Sequence, residues 1–243
     1  RQCSLTFLGA RRAIRKNRKV DQHPLHLRLM LEKIKRLLQI FTTYQPSLSN
    51  GVLWEPINPN HAQLDLVKPE LFFGAPVQVD WHGEFPPNQH YQDGIPTCVA
   101  ESIAYLQDYN EKKENESVKL SARSTFMLGG GDPSVGMWVS SALEVARKIG
   151  IPKEQSIPHT YRRADYAGPL NLPLGINSEA ERYRIKGWAM GPVDKLDYAL
   201  QTSPLIITVG GNNRDWSGGT SSVVLKGGYD WYHAVVLSGR NPA

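Results

Sequence analysis

Cys98 and His233 are the residues of this sequence whose types and spacing can support a covalent reaction. A cysteine attacks as its thiolate, and it needs a base that is close in the fold and usually remote in the sequence. His233 stands 135 residues after Cys98 and begins an apolar run, a separation typical of a histidine that serves a nucleophilic cysteine. Gln92 precedes Cys98 by six residues. These three residues define a candidate site for acyl transfer.

The segment that leads to Cys98 resembles the active-site segment of papain-like cysteine peptidases of the C1 family. It places Gln92, Gly94 and Cys98 in the order that the family uses ahead of its first helix. In the family an Asp-Trp pair precedes this segment, and here Asp80 and Trp81 supply the pair. The resemblance is to a distant bacterial or viral type without disulfides.

The resemblance implies covalent acyl transfer to a thiol. Cys98 would attack a peptide carbonyl as the thiolate of an ion pair with His233, which would then protonate the leaving amine. The side-chain amide of Gln92 and the backbone N–H of Cys98 would stabilise the oxyanion. Three further residues would border the substrate cleft: Gly136, Met137 and Trp138. The chain is therefore expected to be a cysteine endopeptidase that acts on peptides or proteins and needs no cofactor and no metal.

The residue that orients the histidine is the main departure from the family pattern. Family members carry it as the Asn of an Asn-Ser-Trp-Gly motif, and the ten residues after His233 contain no such motif. We expect the natural chain to continue past Ala243 and to supply this residue there, with Asn241 as the alternative. Because an imidazole without this partner can adopt the wrong tautomer, a second hypothesis is a catalytically weak or inactive papain-like module that serves as a structural or docking component of a larger assembly.

The hydrophobic pattern indicates the elements that would position these residues. Apolar residues recur at helical spacing from Cys98 to about Tyr109, so the cysteine would occupy the first turn of a helix. The partial positive charge of a helix N-terminus lowers the pKa of a thiol. The segment that begins at Leu120 resembles the start of the family's second helix. The pattern also predicts helices over Ser140–Ile149 and Val193–Gln201, and strands over Tyr183–Trp188, Pro204–Val209 and His233–Gly239. Helices followed by strands favour an α+β, two-lobed papain-like fold, with a helical lobe before an antiparallel β lobe.

Residues 1–76 are interpreted as a basic N-terminal extension, and residues 77–243 as the peptidase domain, truncated at its C-terminus. Residues 1–40 contain eleven Lys or Arg against two acidic residues, a net charge of +9 in a chain whose total is +5. An amphipathic helix is predicted over Leu25–Phe41. The extension is expected to be a propeptide or a docking segment, and its basic stretch 1–41 to bind an anionic partner or a larger assembly.

Composition excludes several classes of protein. With 40% hydrophobic and 21% charged residues the sequence is that of a globular protein, and no apolar run reaches the length of about 18 residues that a membrane-spanning helix needs. Cys3 and Cys98 are the two cysteines, which favours a reducing compartment such as the cytoplasm or a virion. Six other histidines show no metal-ligand spacing and are interpreted as surface or loop residues: His23, His26, His61, His82, His90 and His159.

Overall fold

A computed structural model describes the backbone of residues 5–8 and, with side chains, residues 51–53, 55, 58–64, 68, 70, 77–87, 90–92, 94–211 and 231–240. The chain divides into two compact units, residues 1–11 together with 48–243, and residues 12–47. All described residues belong to the first unit. The amphipathic helix predicted over Leu25–Phe41 lies outside the described residues, as does the basic stretch 1–41 apart from the backbone of Leu5–Leu8. The domain boundary at residue 76 stays a prediction.

Five α-helices lie among the described residues: α1 (Cys98–Lys113), α2 (Ala122–Leu128), α3 (Val139–Lys148), α4 (Ile176–Arg182) and α5 (Leu196–Leu200). The helix predicted to begin at Cys98 is confirmed, and it continues for about one turn beyond Tyr109. The helix predicted over Ser140–Ile149 is α3, displaced by one residue. Among these helices, none has both the length and the apolar character that a membrane crossing requires.

Three small sheets contain the described strands: β1 (Leu5–Leu8), β2 (Gly51–Val52), β3 (Val79–Asp80), β4 (Gly136–Met137), β5 (Trp188–Gly191), β6 (Leu205–Gly211), β7 (Trp231–Leu237) and β8 (Gly239–Arg240). The largest sheet has the order β5-β1-β6-β7, and all its pairs are antiparallel. Strands β3 and β8 pair antiparallel, whereas β2 and β4 pair in parallel. Among the described residues, helices predominate over Cys98–Lys148 and antiparallel strands from Trp188 onward, as the sequence predicts, and β1 joins the later strands from the N-terminal part of the chain.

The strand predicted over Tyr183–Trp188 is wrong, because the strand at this place begins only at Trp188. The alternation that suggested it reflects real burial, since Tyr183 and Ile185 are at most 3% exposed. The backbone N–H of Ile185 donates to the carbonyl of Ala146 in α3 at 3.2 Å, so this segment bonds to a helix end and not to a strand.

Helix α1 forms the centre of the core and holds Cys98, the predicted nucleophile, at its first position. Val99, Ile103 and Leu106 are at most 1% exposed, and full burial of such side chains stabilises the fold by about 1.5–3 kcal/mol each. The hydroxyl of Ser102 donates to the carbonyl of Ala234 in β7 at 3.1 Å. Packing of α1 against β7 brings the helix of the cysteine next to the strand of the predicted histidine.

Gly150→Ala is expected to destabilise the junction that ends α3. Gly150 has φ +94°, and a Cβ at this position would overlap the carbonyl oxygen of Ala180 at the end of α4. The backbone conformation alone costs a non-glycine residue about 1–3 kcal/mol. Thermal unfolding should show a clear fall in Tm, whereas the matched change Gly187→Ala, at a position with open space, should leave Tm nearly unchanged. Equal Tm values for the two variants would contradict the assignment of a tight contact at Gly150.

Candidate active site

Cys98 is the first residue of α1, where the sequence predicts it, and it is 2% exposed. Its sulfur accepts a hydrogen bond from the backbone N–H of Ala234 at 3.4 Å. Ala234 follows His233 in β7, so the hydrogen bond fixes the thiol against the strand that carries the histidine.

The three residues that the sequence singles out line one cavity of about 310 Å³: Gln92, Cys98 and His233. His233 lies in β7 opposite Val209 of β6, and its ring meets the ring of Trp231 edge to face at 6.3 Å between centroids. The structure thus brings together residues that are up to 141 positions apart in the chain. The catalytic roles assigned to the three residues stay predictions.

Electrostatics in this cavity favour the neutral forms of both reactive groups. Burial raises the pKa of the Cys98 thiol to about 12, and the hydrogen bond from Ala234 opposes this shift only in part. Burial also lowers the pKa of His233. The thiolate–imidazolium pair that the resemblance implies stays a prediction, and both pKa shifts oppose it while the thiol is buried. Desolvation here outweighs the positive end of α1, which lowers the pKa of a thiol in an open site.

The N-terminal part of the chain contributes directly to this burial. Strand β2 runs along β4 in parallel, and the N–H of Leu53 donates to the carbonyl of Met137 at 3.0 Å. A Cβ placed on Gly51 would lie 2.5 Å from the sulfur of Cys98. Residues 51–53 are called the covering segment from here on, and within it Gly51 lies against the thiol.

Further contacts anchor the chain around the covering segment. The side chain of Val52 packs into the main hydrophobic core and is 2% exposed. A carboxylate oxygen of Glu55 accepts a hydrogen bond from the backbone N–H of Ser140 at 3.1 Å, in the first turn of α3. Farther along, Gln63 forms a bridge with Met190 of β5. The covering segment is thus held at the site by backbone pairing, apolar burial and a contact at a helix N-terminus.

The residues predicted to border the substrate cleft lie where the covering segment binds. Gly136 and Met137 form β4, which is the strand edge that pairs with that segment. Gly136 has φ +113°, and a Cβ there would overlap the backbone of Gly51, so the close approach of the two strands needs glycine at position 136. Trp138 is the N-cap residue of α3 and is half-buried. An edge of this kind can bind an extended peptide, and the role of the three residues in substrate binding stays a prediction.

A buried charged cluster beside Cys98 is not predicted from the sequence. One ring nitrogen of His90 lies 3.1 Å from a carboxylate oxygen of Glu101, and the other lies 2.8 Å from one of Asp108. The side chain of His90 is 4% exposed. Its backbone is in a loop, as expected, but the interpretation of His90 as a surface residue is wrong. Among the described residues no group of three or more His, Cys, Asp or Glu is arranged to hold a metal ion.

The order of helices and strands, with a buried cysteine at the start of the central helix, is that of the papain-like cysteine protease fold. A structure of xylellain, a cysteine protease from Xylella fastidiosa, matches with a TM-score of 0.63 at 17% identity, over 81% of this chain and 82% of that chain. Procathepsin B S9 from Trypanosoma congolense matches with a TM-score of 0.52 at 11% identity, over 87% and 82% of the two chains. A structure from a study of the mite allergens Blo t 1 and Der p 1 matches with a TM-score of 0.51 at 17% identity, over 91% of this chain and 81% of that chain.

No protein-family model and no curated protein matches the sequence. The similarity is therefore one of structure, and at these identities it shows the fold. The predicted papain-like resemblance and the predicted α+β class are confirmed at this level. The orienting Asn is not tested, because Asn241 lies outside the described residues and the expected continuation past Ala243 stays a prediction.

Proposed function

We propose that this chain is a cysteine endopeptidase in which Cys98 is the nucleophile, His233 the general base and acid, and Gln92 a donor to the oxyanion. The observation that carries the proposal is the meeting of these three residues in one cavity at the N-terminus of α1. Gly51, which lies against the sulfur of Cys98, pairs with Gly136 of the strand edge β4, so this edge runs close to the thiol. A nucleophile beside such an edge is placed to attack the backbone of a bound peptide.

The proposed reaction proceeds through a thioacyl-enzyme. The sulfur of Cys98 forms a bond to the carbonyl carbon, and the carbonyl electrons move to the oxygen, which accepts hydrogen bonds from Gln92 and from the N–H of Cys98. The C–N bond then breaks, and the amine leaves with the proton that His233 took from the thiol. A water molecule attacks the thioester carbon while His233 accepts a proton from that water. The C–S bond then breaks, the acid product leaves, and the proton on His233 returns to the sulfur of Cys98.

We infer that the chain shown by the structure is a latent form of this enzyme. The covering segment pairs with β4, and its Gly51 lies against the sulfur of Cys98, so a substrate carbonyl would have to displace Gly51 to approach the thiol from that side. Burial keeps the thiol protonated in this state. This assigns a propeptide-like role to residues 51–53 in particular. It does not extend to Leu5–Leu8, because that strand lies between β5 and β6 within the four-stranded sheet.

Gln92→Ala is expected to lower kcat about 100- to 1000-fold, since this is the cost of removing one oxyanion donor in a hydrolase. The measurement is turnover of a fluorogenic peptide, chosen from a library, by the chain carrying Gly51→Val, which displaces the covering segment. The exposed Gln155 lies outside the Cys98 cavity, so Gln155→Ala serves as the matched control and should change kcat by less than about twofold. An unchanged kcat in Gln92→Ala would exclude its role as an oxyanion donor.

The alternative function, an inactive papain-like module within a larger assembly, is favoured by the protonated thiol and the lowered pKa of His233. This alternative predicts a different result when turnover of library peptides is measured with the Gly51→Val chain. An inactive module would show no turnover of any library peptide after the covering segment is displaced, and a peptidyl vinyl sulfone would not react with Cys98. Binding of an anionic partner through residues 1–41 stays a prediction, since those residues lie outside the described side chains.

A further inference from the structure

His90 is a buried histidine whose ring lies between two carboxylates, close to the candidate oxyanion donor Gln92. It lies two residues before Gln92 and lines the same cavity as Cys98. Its ring is held between Glu101 and Asp108, which are seven residues apart and therefore two turns apart on one face of α1. The loop of the oxyanion donor and the helix of the nucleophile are thus joined by one imidazole.

The contacts favour an imidazole that carries two protons. Both ring nitrogens face carboxylate oxygens, and an ionised carboxylate accepts hydrogen bonds but donates none. Burial raises the pKa of Asp108 to about 6, and above that pH the contacts at 3.1 Å and 2.8 Å are both satisfied when both nitrogens of His90 donate. Burial by itself would lower the pKa of His90, but the hydrogen bonds to Asp108 and Glu101 raise it to about 9. A charged imidazolium between two buried carboxylates is costly to disrupt, because its loss leaves uncompensated buried charge.

Each carboxylate of the cluster also holds a second part of the site. The other oxygen of Glu101 accepts a hydrogen bond from the hydroxyl of Thr97 at 3.1 Å, and Thr97 immediately precedes the nucleophile. The other oxygen of Asp108 accepts one from the backbone N–H of Leu120 at 2.9 Å, near the start of α2. Each of these hydrogen bonds is buried. The cluster therefore connects both ends of the loop between His90 and Cys98 to α1, and α1 to the segment that precedes α2.

We propose that His90 is a positioning residue: its contacts with Glu101 and Asp108 fix the loop that carries Gln92, so that the Gln92 amide points at the oxyanion formed on Cys98. This inference rests on the proposed function and assigns a role to a residue outside the catalytic set. The loop makes a tight turn, in which the backbone carbonyl of Gln92 accepts a hydrogen bond from the N–H of Ile95 at 3.0 Å. Such a loop needs a fixed point near each end, and a displacement of about 1 Å at a catalytic donor can cost roughly 100-fold in rate.

A double-mutant cycle between His90 and Gln92 tests this role in the Gly51→Val background. We expect His90→Gln to lower kcat about 10- to 100-fold with KM changed less than about threefold, because the oxyanion exists only in the transition state. In the Gln92→Ala background the same change should lower kcat less than about threefold further, since the group that His90 positions is already absent. Asp108→Asn, which keeps an oxygen for the N–H of Leu120, should show the same non-additivity with a smaller effect.

The outcomes separate this inference from the proposed function. Additive losses in the His90/Gln92 cycle, or a loss that lies mainly in KM, would show general damage and overturn the positioning role. A Gln92→Ala variant with full kcat would refute the oxyanion assignment itself, and the positioning role with it. Alkylation of Cys98 by iodoacetamide, which needs no oxyanion donor, should stay within about threefold in His90→Gln. A large fall in alkylation would place the effect of His90 on the thiol and would also overturn the proposal.

Discussion

Gly51→Val is expected to increase the rate at which iodoacetamide labels Cys98 in the full-length chain by about 10-fold or more. Gly51 has φ +133°, and a Cβ there would lie 2.5 Å from the sulfur of Cys98. A β-branched residue is a severe outlier at such a φ, and backbone strain of about 1–3 kcal/mol adds to the steric overlap. Because this cost falls only on the covered state, the population shifts toward a state in which the covering segment has left the thiol.

The chemistry of the thiol sets the upper limit of this effect. In the covered state the pKa of Cys98 is raised to about 12, whereas an exposed thiol has a pKa of about 8.5. Full exposure would therefore increase the thiolate fraction at neutral pH roughly 1000-fold. Mass spectrometry of the labelled chain distinguishes Cys98 from Cys3, so each rate can be followed separately.

Gly83→Val is the matched control for this change. A Cβ on Gly83 has no atom within 4 Å, so this variant should label at the rate of the unchanged chain. Val52→Asp provides an independent route to the same state, because Val52 is 2% exposed and a buried unpaired carboxylate is costly. Unchanged labelling in both Gly51→Val and Val52→Asp, with Tm preserved, would show that the covering segment does not protect the thiol.

Local patterns predict the helix of the nucleophile and the strand of the histidine. The apolar spacing after Cys98 is that of a helix whose inner face is buried, and Val99 and Ile103 are indeed fully buried. The β-branched residues around Ile206 and Val235 likewise predict strands, which form β6 and β7. In each case the structure depends on periodicity within a single element, which the sequence displays directly.

The covering segment depends on information of another kind. The sequence at Gly51–Val52 shows a turn signal followed by an apolar residue, and neither indicates what the segment pairs with. Its partner, Gly136–Met137, lies 85 residues away, and the pairing is only two residues long. The place of Leu5–Leu8 between β5 and β6 is equally non-local. Such pairings follow from the competition among all strand edges of the fold, which a local pattern does not contain.

The cluster around His90 is an intermediate case. Glu101 and Asp108 are seven residues apart in a helix predicted to be buried on one side, and two carboxylates on such a face need a cationic partner. That signal was present in the sequence. The identity of the partner was not, because the chain contains many lysines, arginines and histidines and nothing local singles out His90.

The pairing of Cys98 with His233 gives the largest expected loss of activity. In the Gly51→Val background, Cys98→Ala should lower kcat by at least about 10,000-fold, because removal of a nucleophile from a catalytic set of this kind costs up to about a million-fold. His233→Ala should cause a comparable loss, since the thiol then has no base. The double variant should be no slower than the worse of the two single variants, because residues that act as one unit lose their effect together.

Cys3→Ala is the matched control, since Cys3 is the other cysteine of the chain; it should change kcat by less than about twofold. Multiplicative losses for Cys98→Ala and His233→Ala would mean that the two residues act independently, and an active His233→Ala variant would mean that another group accepts the proton of the thiol. Either result would contradict the assigned pair.

His90 lines the same cavity, but both its nitrogens are committed to Glu101 and Asp108. It therefore has no lone pair with which to replace His233, and a severe loss in His233→Ala follows from the geometry of both histidines.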